Sequence, residues 1–362
     1  MHVGMFLMFQ NPGGVPDAQL YAEEVSLADQ AEGLGYNSIW TVEHHFTDYA
    51  VTPDPLQFLT YMAGRTSRVQ LGSMVVVLPW HDPVRVAEQL SVLDILSGGR
   101  ALFGIGRGLG RVEFEGLRVP MGESRTRFVE SAKIVMQALE GGKLQFDGDH
   151  FTQPGRDLRP AAPWSFKGRV YASAVSPESV EIMAQLGIGM LVIPQKPYEL
   201  VAKDLVSYRQ TFREVNGEEA PPTRAAMYVY CDENADRAEE LGRKYIGAYY
   251  RSTMSHYEMT GSHFKSTKGY EFYERVSENV NKYGADAAEE AFVNLHVFGT
   301  PEQCYDKILY NRRALGADAI MVGFKYADIG IDDANRNYAL FSREVLPELA
   351  KLEPVEMAPI GS

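Results

Sequence analysis

The sequence predicts an α/β fold in which one (β/α)8 TIM barrel with insertions accounts for residues 1–362. Three observations carry that expectation. Short apolar runs alternate with longer stretches of helical spacing, the pattern of parallel βα units. There are eight such runs, and eight units favour a closed barrel over an open doubly wound sheet. Several runs are apolar throughout rather than alternating, as strands covered on both faces require. A chain of 362 residues also admits two or three domains, but barrels routinely hold roughly 250 residues or more as one unit.

The strands are expected at Val3–Phe9, Ser38–Val42, Val69–Leu78, Arg100–Gly106, Val170–Ala174, Gly189–Ile193, Ala225–Cys231 and Ala319–Gly323. Helices are expected between them, at 18–34, 56–64, 84–96, 124–139, 177–186, 197–215, 234–250 and 302–315, with a last one near 335–350. Ser97-Gly98-Gly99 reads as a C-cap, because glycine takes the left-handed conformation at a helix end without steric cost. Two stretches break the rhythm. Gly141–Lys167 is rich in Gly, Pro and Asp, and Lys143–Phe151 within it looks like a hairpin. Residues 252–294 are polar and aromatic, and an excursion of that length is either a lid or binding loop or a simple decoration.

Composition narrows the class of function. The net charge of −13 argues against nucleic acid and acidic membrane as partners. Cys231 and Cys304 are the two cysteines, and their distance in sequence suits buried free thiols in a reducing compartment. The apolar run Val3–Phe9 is too short for a signal-peptide core or a membrane span. The expected location is cytoplasmic.

In such barrels the chemistry sits at the C-terminal strand ends. After the second strand comes Glu43-His44-His45-Phe46. Neighbouring side chains on a strand face opposite ways, so His44 and His45 are poorly placed to share a metal. No other ligand spacing is visible, and no metal is expected. One histidine could serve as a general base or donor over the barrel mouth. After the fourth strand, Phe103-Gly104-Ile105-Gly106-Arg107-Gly108-Leu109-Gly110-Arg111 lacks the third glycine of a dinucleotide fingerprint, and no helix is expected to open directly after it. What remains is a flexible turn whose Arg107 suits a phosphate or carboxylate, or simply solvent. After the fifth strand, Ser176-Pro177 is a helix N-cap. It serves capping alone, or anion binding at the helix start together with Arg125. Three anion-friendly features at adjacent strand ends suggest one phosphate-bearing cofactor. The apolar end of the third strand, Gly72–Pro79, is either plain core or a shelf for an aromatic ring.

Taken together, these motifs resemble the bacterial luciferase family, in its α-subunit-like branch, over nearly the whole chain. The likeness rests on Glu43-His44-His45-Phe46-Thr47, Val77-Leu78-Pro79, Gly98-Gly99-Arg100, Phe103-Gly104-Ile105, Arg107-Gly108-Leu109, Ser124-Arg125 and Gly299-Thr300-Pro301-Glu302. It implies a two-component monooxygenase that takes reduced FMN (FMNH2) from a separate NAD(P)H:flavin reductase. With O2, and through a C4a-peroxyflavin, such an enzyme oxidises a small aldehyde, ketone or similar compound. By that likeness His44 is catalytic. Met74, Val75, Gly106, Arg107, Leu109, Arg125, Val175, Ser176 and Ser179 bind the cofactor, with a non-proline cis peptide at Met74-Val75. His45, Glu113, Gly269 and Tyr270 face substrate or belong to a mobile loop within 252–294. A homodimer is implied. The departures are Gly106, where luciferase α subunits carry cysteine, and Glu113, where they carry aspartate; light emission is not expected. The alternatives are a deazaflavin-dependent oxidoreductase on the same barrel and a non-catalytic flavin-binding partner subunit.

Overall fold

Eight parallel strands close on themselves in the computed structural model, which describes residues 1–173 and 177–354. In barrel order they are His2–Leu7, Ser38–Thr41, Gln70–Ser73, Ala101–Gly106, Val170–Ser173, Gly189–Val192, Thr223–Cys231 and Ala317–Gly323. The eighth pairs back to the first, with Val3 opposite Ile320 and Met5 opposite Val322. Helices cover the outside, so nearly every strand residue is buried. That double cover is why the strands read as apolar runs rather than as alternating patterns.

Several helices start at a side-chain cap followed by proline. Asp54 accepts from the Gln57 N–H ahead of Pro55, and Asp82 accepts from Val84 and Arg85 ahead of Pro83. Thr300 and Gln303 form a reciprocal capping box around Pro301. The cap satisfies an orphan N–H, and proline occupies a position whose own N–H has no helical partner. Gly98 ends the helix Pro83–Ser97 with φ 69°, as its sequence suggested.

Five expectations need correction. The single strand expected over Val69–Leu78 is two short strands, Gln70–Ser73 and Val76–Val77, separated by a cis Met74–Val75 peptide. At the break, the Ser73 hydroxyl donates to the Gly104 carbonyl at 2.8 Å and accepts from the Gly104 N–H at 3.0 Å. A side chain thus does the work of the interrupted ladder. A helix, Arg111–Gly116, does open directly after Gly110. The helix expected over 234–250 runs on to His256, and the last one divides into Ile331–Glu344 and Leu346–Ala350. The hairpin is real but longer, pairing Lys143–Asp147 with Thr152–Asp157.

The stretch 252–294 is mostly helical, with helices at His263–Ser266, Glu271–Tyr283 and Ala285–Val293. Met259, Phe264 and Tyr270 form a small apolar cluster apart from the main core. Cys231 and Cys304 are buried and not joined by a disulfide. Among the described residues, no helix is long and apolar enough to cross a membrane.

Candidate active site

The second strand ends at Thr41 and delivers Glu43, His44 and His45 to the barrel mouth. The two histidines turn to different carboxylates, as alternation along an extended chain demands. His45 Nε2 lies 3.2 Å from Glu43 Oε1, and His81 Nε2 lies 2.7 Å from the same oxygen. Glu43 Oε2 accepts from the Val77 N–H at 2.7 Å, so this buried carboxylate ties the second strand to the resumed third one. Burial alone would raise the Glu43 carboxyl, but hydrogen bonds from His45 and His81 outweigh it and hold it below its ordinary value.

His44 turns to Glu113 on the helix that the sequence had not suggested. Its Nδ1 is 3.0 Å from Glu113 Oε1, which also accepts from the His45 N–H at 2.9 Å. The second carboxylate oxygen faces His256 Nε2 at 3.4 Å. Burial pushes the Glu113 carboxyl up, yet His44 and His256, which face its two oxygens, bring it down to about 2. Among the described residues, His44, Glu113 and His256 are the group close enough to hold a metal ion, their ligand atoms lying within 4.8 Å of one another. Spacing could not reveal them, because His256 lies some 200 residues beyond His44.

Both carboxylates border a cavity of about 520 Å³, within the range of small-molecule sites. His44 lines it, and so do Met74, Val75 and Gly106, which give an apolar wall. A Cβ on Gly106 would come within 2.4 Å of Val75 Cγ2, so glycine there lets the wall sit close to the fourth strand. Arg107, Arg125 and Ser179 lie along the same cavity. Arg107 Nη1 and Arg125 Nη2 donate to one acceptor, the Gly269 carbonyl, at 2.7 and 3.2 Å. Arg125 also pairs with Glu178 in the first turn of the helix Pro177–Gln185. Its Nε is buried and has no hydrogen-bond partner among the described residues. Two guanidinium groups converging on one oxygen, one with a donor to spare, fit a phosphate. The apolar wall fits a planar ring, so the residues present are suited to a flavin mononucleotide.

Leu109 and Gly269 also line the cavity, but His45 and Tyr270 do not. Tyr270 is fully buried beneath Arg107, whose guanidinium stands 4.1 Å from its ring centre. Its hydroxyl donates to the Gly108 carbonyl at 2.9 Å and touches Ser124 Oγ at 3.0 Å. Val175 and Ser176 lie outside the described residues. Sequence reasoning missed Trp80, Gln195, Tyr257, Phe272 and Tyr273, which also line it. The aromatic density after residue 256 was the available signal for the last three.

The luciferase-like monooxygenase family profile matches residues 1–319. The chain belongs to that family. It is 27% identical over 353 residues to an alkanal monooxygenase alpha chain of Photorhabdus luminescens, with 96% of this chain and 98% of that protein aligned. Among solved structures, the monooxygenase RslO1 from Streptomyces bottropensis matches with TM-score 0.81 at 25% identity, covering 96% of this chain and 99% of that one. The oxygenating constituent of 3,6-diketocamphane monooxygenase from Pseudomonas putida, in complex with FMN, shares the fold at TM-score 0.76 and 18% identity over 96% and 98%. A coenzyme F420 dependent tetrahydromethanopterin reductase from Methanopyrus kandleri also shares it, at TM-score 0.68 and 21% identity over 96% and 99%. Family membership makes the chain a flavin-type oxidoreductase of the monooxygenase kind. The fold alone does not choose between FMN and a deazaflavin.

Proposed function

We propose that this chain is the oxygenating component of a two-component monooxygenase. It takes reduced FMN from a separate NAD(P)H:flavin reductase and uses O2 to oxidise a small organic compound such as an aldehyde or ketone. The observation that carries this reading is one cavity lined both by two arginines that converge on a single acceptor and by a carboxylate-held histidine. The overall reaction balances as substrate, O2 and FMNH2 giving oxygenated substrate, FMN and water.

Reduced FMN, when bound, supplies the two electrons that activate oxygen. The remaining work falls to the chain. Arg107 and Arg125 would hold the phosphate, with Ser179 on the same cavity; Val175 and Ser176 are assigned to it by the family likeness alone. Met74, Val75 and Gly106 support the ring, and Leu109 closes one side. His44 holds or moves a proton at its Nε2, the nitrogen turned away from Glu113. The segment 252–294, through Tyr257, Gly269 and Phe272, covers the cavity and excludes water, which would otherwise discharge the oxidising species unproductively. The chain acts as a single barrel domain, as a homodimer and in the cytoplasm.

Anaerobic mixing with photoreduced FMN, followed by stopped-flow absorbance on adding oxygenated buffer, tests the reading. The expected result is FMNH2 binding and a transient spectrum distinct from free oxidised and reduced FMN. Reoxidation at the free-flavin rate with no binding of FMNH2, together with tight binding of a deazaflavin, would replace it with hydride chemistry. Binding of flavin with no oxidation of any aldehyde or ketone would point to a partner subunit.

A further inference from the structure

Thr47, His256, Glu113 and His44 form a chain of contacts in which the chemistry of each member fixes where the protons lie. Glu113 is fully buried and ionised, so both its oxygens are acceptors only. Oε1 accepts from the His45 N–H and from His44 Nδ1. His44 therefore carries a hydrogen on Nδ1. Oε2 faces His256 Nε2 at 3.4 Å without hydrogen-bond geometry, and neither atom has another hydrogen-bond partner among the described residues; a lone pair on Nε2 set against that buried carboxylate oxygen would be strongly unfavourable. His256 must then hold its hydrogen on Nε2. Burial lowers the pKa of His256 and favours its neutral form, which leaves Nδ1 as an acceptor. Thr47 Oγ1 lies 2.9 Å from that Nδ1 and accepts in turn from the Tyr49 N–H at 3.4 Å. Its hydroxyl hydrogen is thus free to donate to His256.

The position of His256 is also held mechanically. Its ring stacks on Tyr49 with centroids 4.5 Å apart and planes 10° from parallel. It is the last residue of the helix Ala235–His256, immediately before the segment that reaches over the cavity. Glu258, two residues on, makes a paired contact with Arg111 at 2.8 and 2.7 Å, on the same short helix that carries Glu113.

We propose that His256 is a positioning residue for His44. With its Nε2–H facing the second oxygen of Glu113, it keeps that carboxylate in place, so that the first oxygen fixes the His44 ring with Nδ1 protonated and the Nε2 lone pair available to the cavity. Because His256 ends the helix that leads into 257–294, the seating of that segment and the proton position of His44 share one side chain. The rate effect rests on the monooxygenase reading above; the proton position does not.

Imidazole nitrogen NMR of the full chain without flavin reads the proton position directly, with the His44 signal assigned from a His44→Gln sample. The wild-type His44 is expected as the Nδ1–H tautomer. In His256→Ala it becomes a mixture of tautomers, and His256→Gln, whose side-chain amide can donate to the same oxygen, restores it. Thr47→Val removes the hydroxyl and should disturb both rings, which serves if His256→Ala does not fold. With reduced FMN and an oxidisable aldehyde, His256→Ala should lower kcat roughly tenfold, below the roughly 10²-fold or more of a lost proton-transfer group. The acid limb of its pH–rate profile should move while KM stays put. An unchanged His44 tautomer in the folded variants would overturn the inference. So would one equivalent of divalent metal in the purified protein whose removal by chelator abolishes the wild-type tautomer. A chain that oxidises nothing but shows the tautomer change would keep the inference and lose the functional reading.

Discussion

His44 presents one nitrogen to Glu113 and lines the cavity, while Arg107 stands over Tyr270 on the side proposed to hold phosphate. Under the proposed function these two residues should fail differently. His44→Ala should lower substrate oxidation by roughly 10²-fold or more with FMN affinity nearly intact, as read by turnover and by flavin titration. Arg107→Ala should weaken FMN binding by about 1.5–3 kcal/mol, the range for a hydrogen bond to a charged group, and a flavin titration with unchanged affinity would remove it from the site. Glu113 carries a pH signature. Its carboxyl sits at about 2 instead of 4.5, so it stabilises the fold above pH 4.5, and that contribution is lost as pH falls from 4.5 through about 2. Glu113→Gln should flatten the acid side of the stability curve in that window, measured by thermal melts across pH. The His44-His45 pair was legible as a candidate because two adjacent histidines at a strand end are unusual, and the choice of His44 came from the family likeness. His256 was not, because its contact with Glu113 is made only after barrel closure.

At the scale of elements, the informative case is the third strand. Its composition reads as one uninterrupted strand, and nothing in periodicity marks the break at Met74–Val75; only the family likeness supplied it. Ser73 and Gly104 reveal why the neighbouring strand must be glycine there. A Cβ on Gly104 would lie 1.9 Å from the Ser73 carbonyl oxygen, which is backbone and cannot swing away. Gly104→Ala should therefore cost at least about 1–3 kcal/mol, the range for forcing atoms into a packed core, seen as a lowered Tm and a disturbed flavin site. The missed helix Arg111–Gly116 has Gly110 as its N-cap, with no side-chain hydrogen bond to announce it. The stretch 252–294 was legible as an excursion but not as a set of helices. Its polarity hid the few buried anchors, Met259, Phe264 and Tyr270, that seat it.

For the whole molecule, the barrel and the covering segment differ in how they are held. Strand residues lie in one continuous core, whereas 257–284 is held by a small satellite cluster and by Arg107 and Arg125 reaching the Gly269 carbonyl. Gly269 has φ 88°, a conformation that suits glycine, and its carbonyl accepts from the guanidinium groups proposed to hold phosphate. Amide hydrogen exchange should accordingly be slowest in the eight strands and faster across 262–284. Saturating FMN should change protection in 262–284 and around Arg107, with little effect on the hairpin 143–157. Equal protection of the covering segment with and without FMN would separate it from the cofactor site.

The sequence by itself determined the barrel, the strand ends that carry function and the residue types gathered there. Those features are written in local periodicity, caps and glycines, which act within a few residues of one another. Tertiary structure alone decided which carboxylate each histidine faces, that His256 joins His44 through Glu113, and that the two arginines converge on one acceptor. These depend on closure of the barrel and on a segment folding back across its mouth, which brings together residues far apart in the chain. No spacing in the sequence encodes such distances, because the physical contact is made through space and not along the backbone.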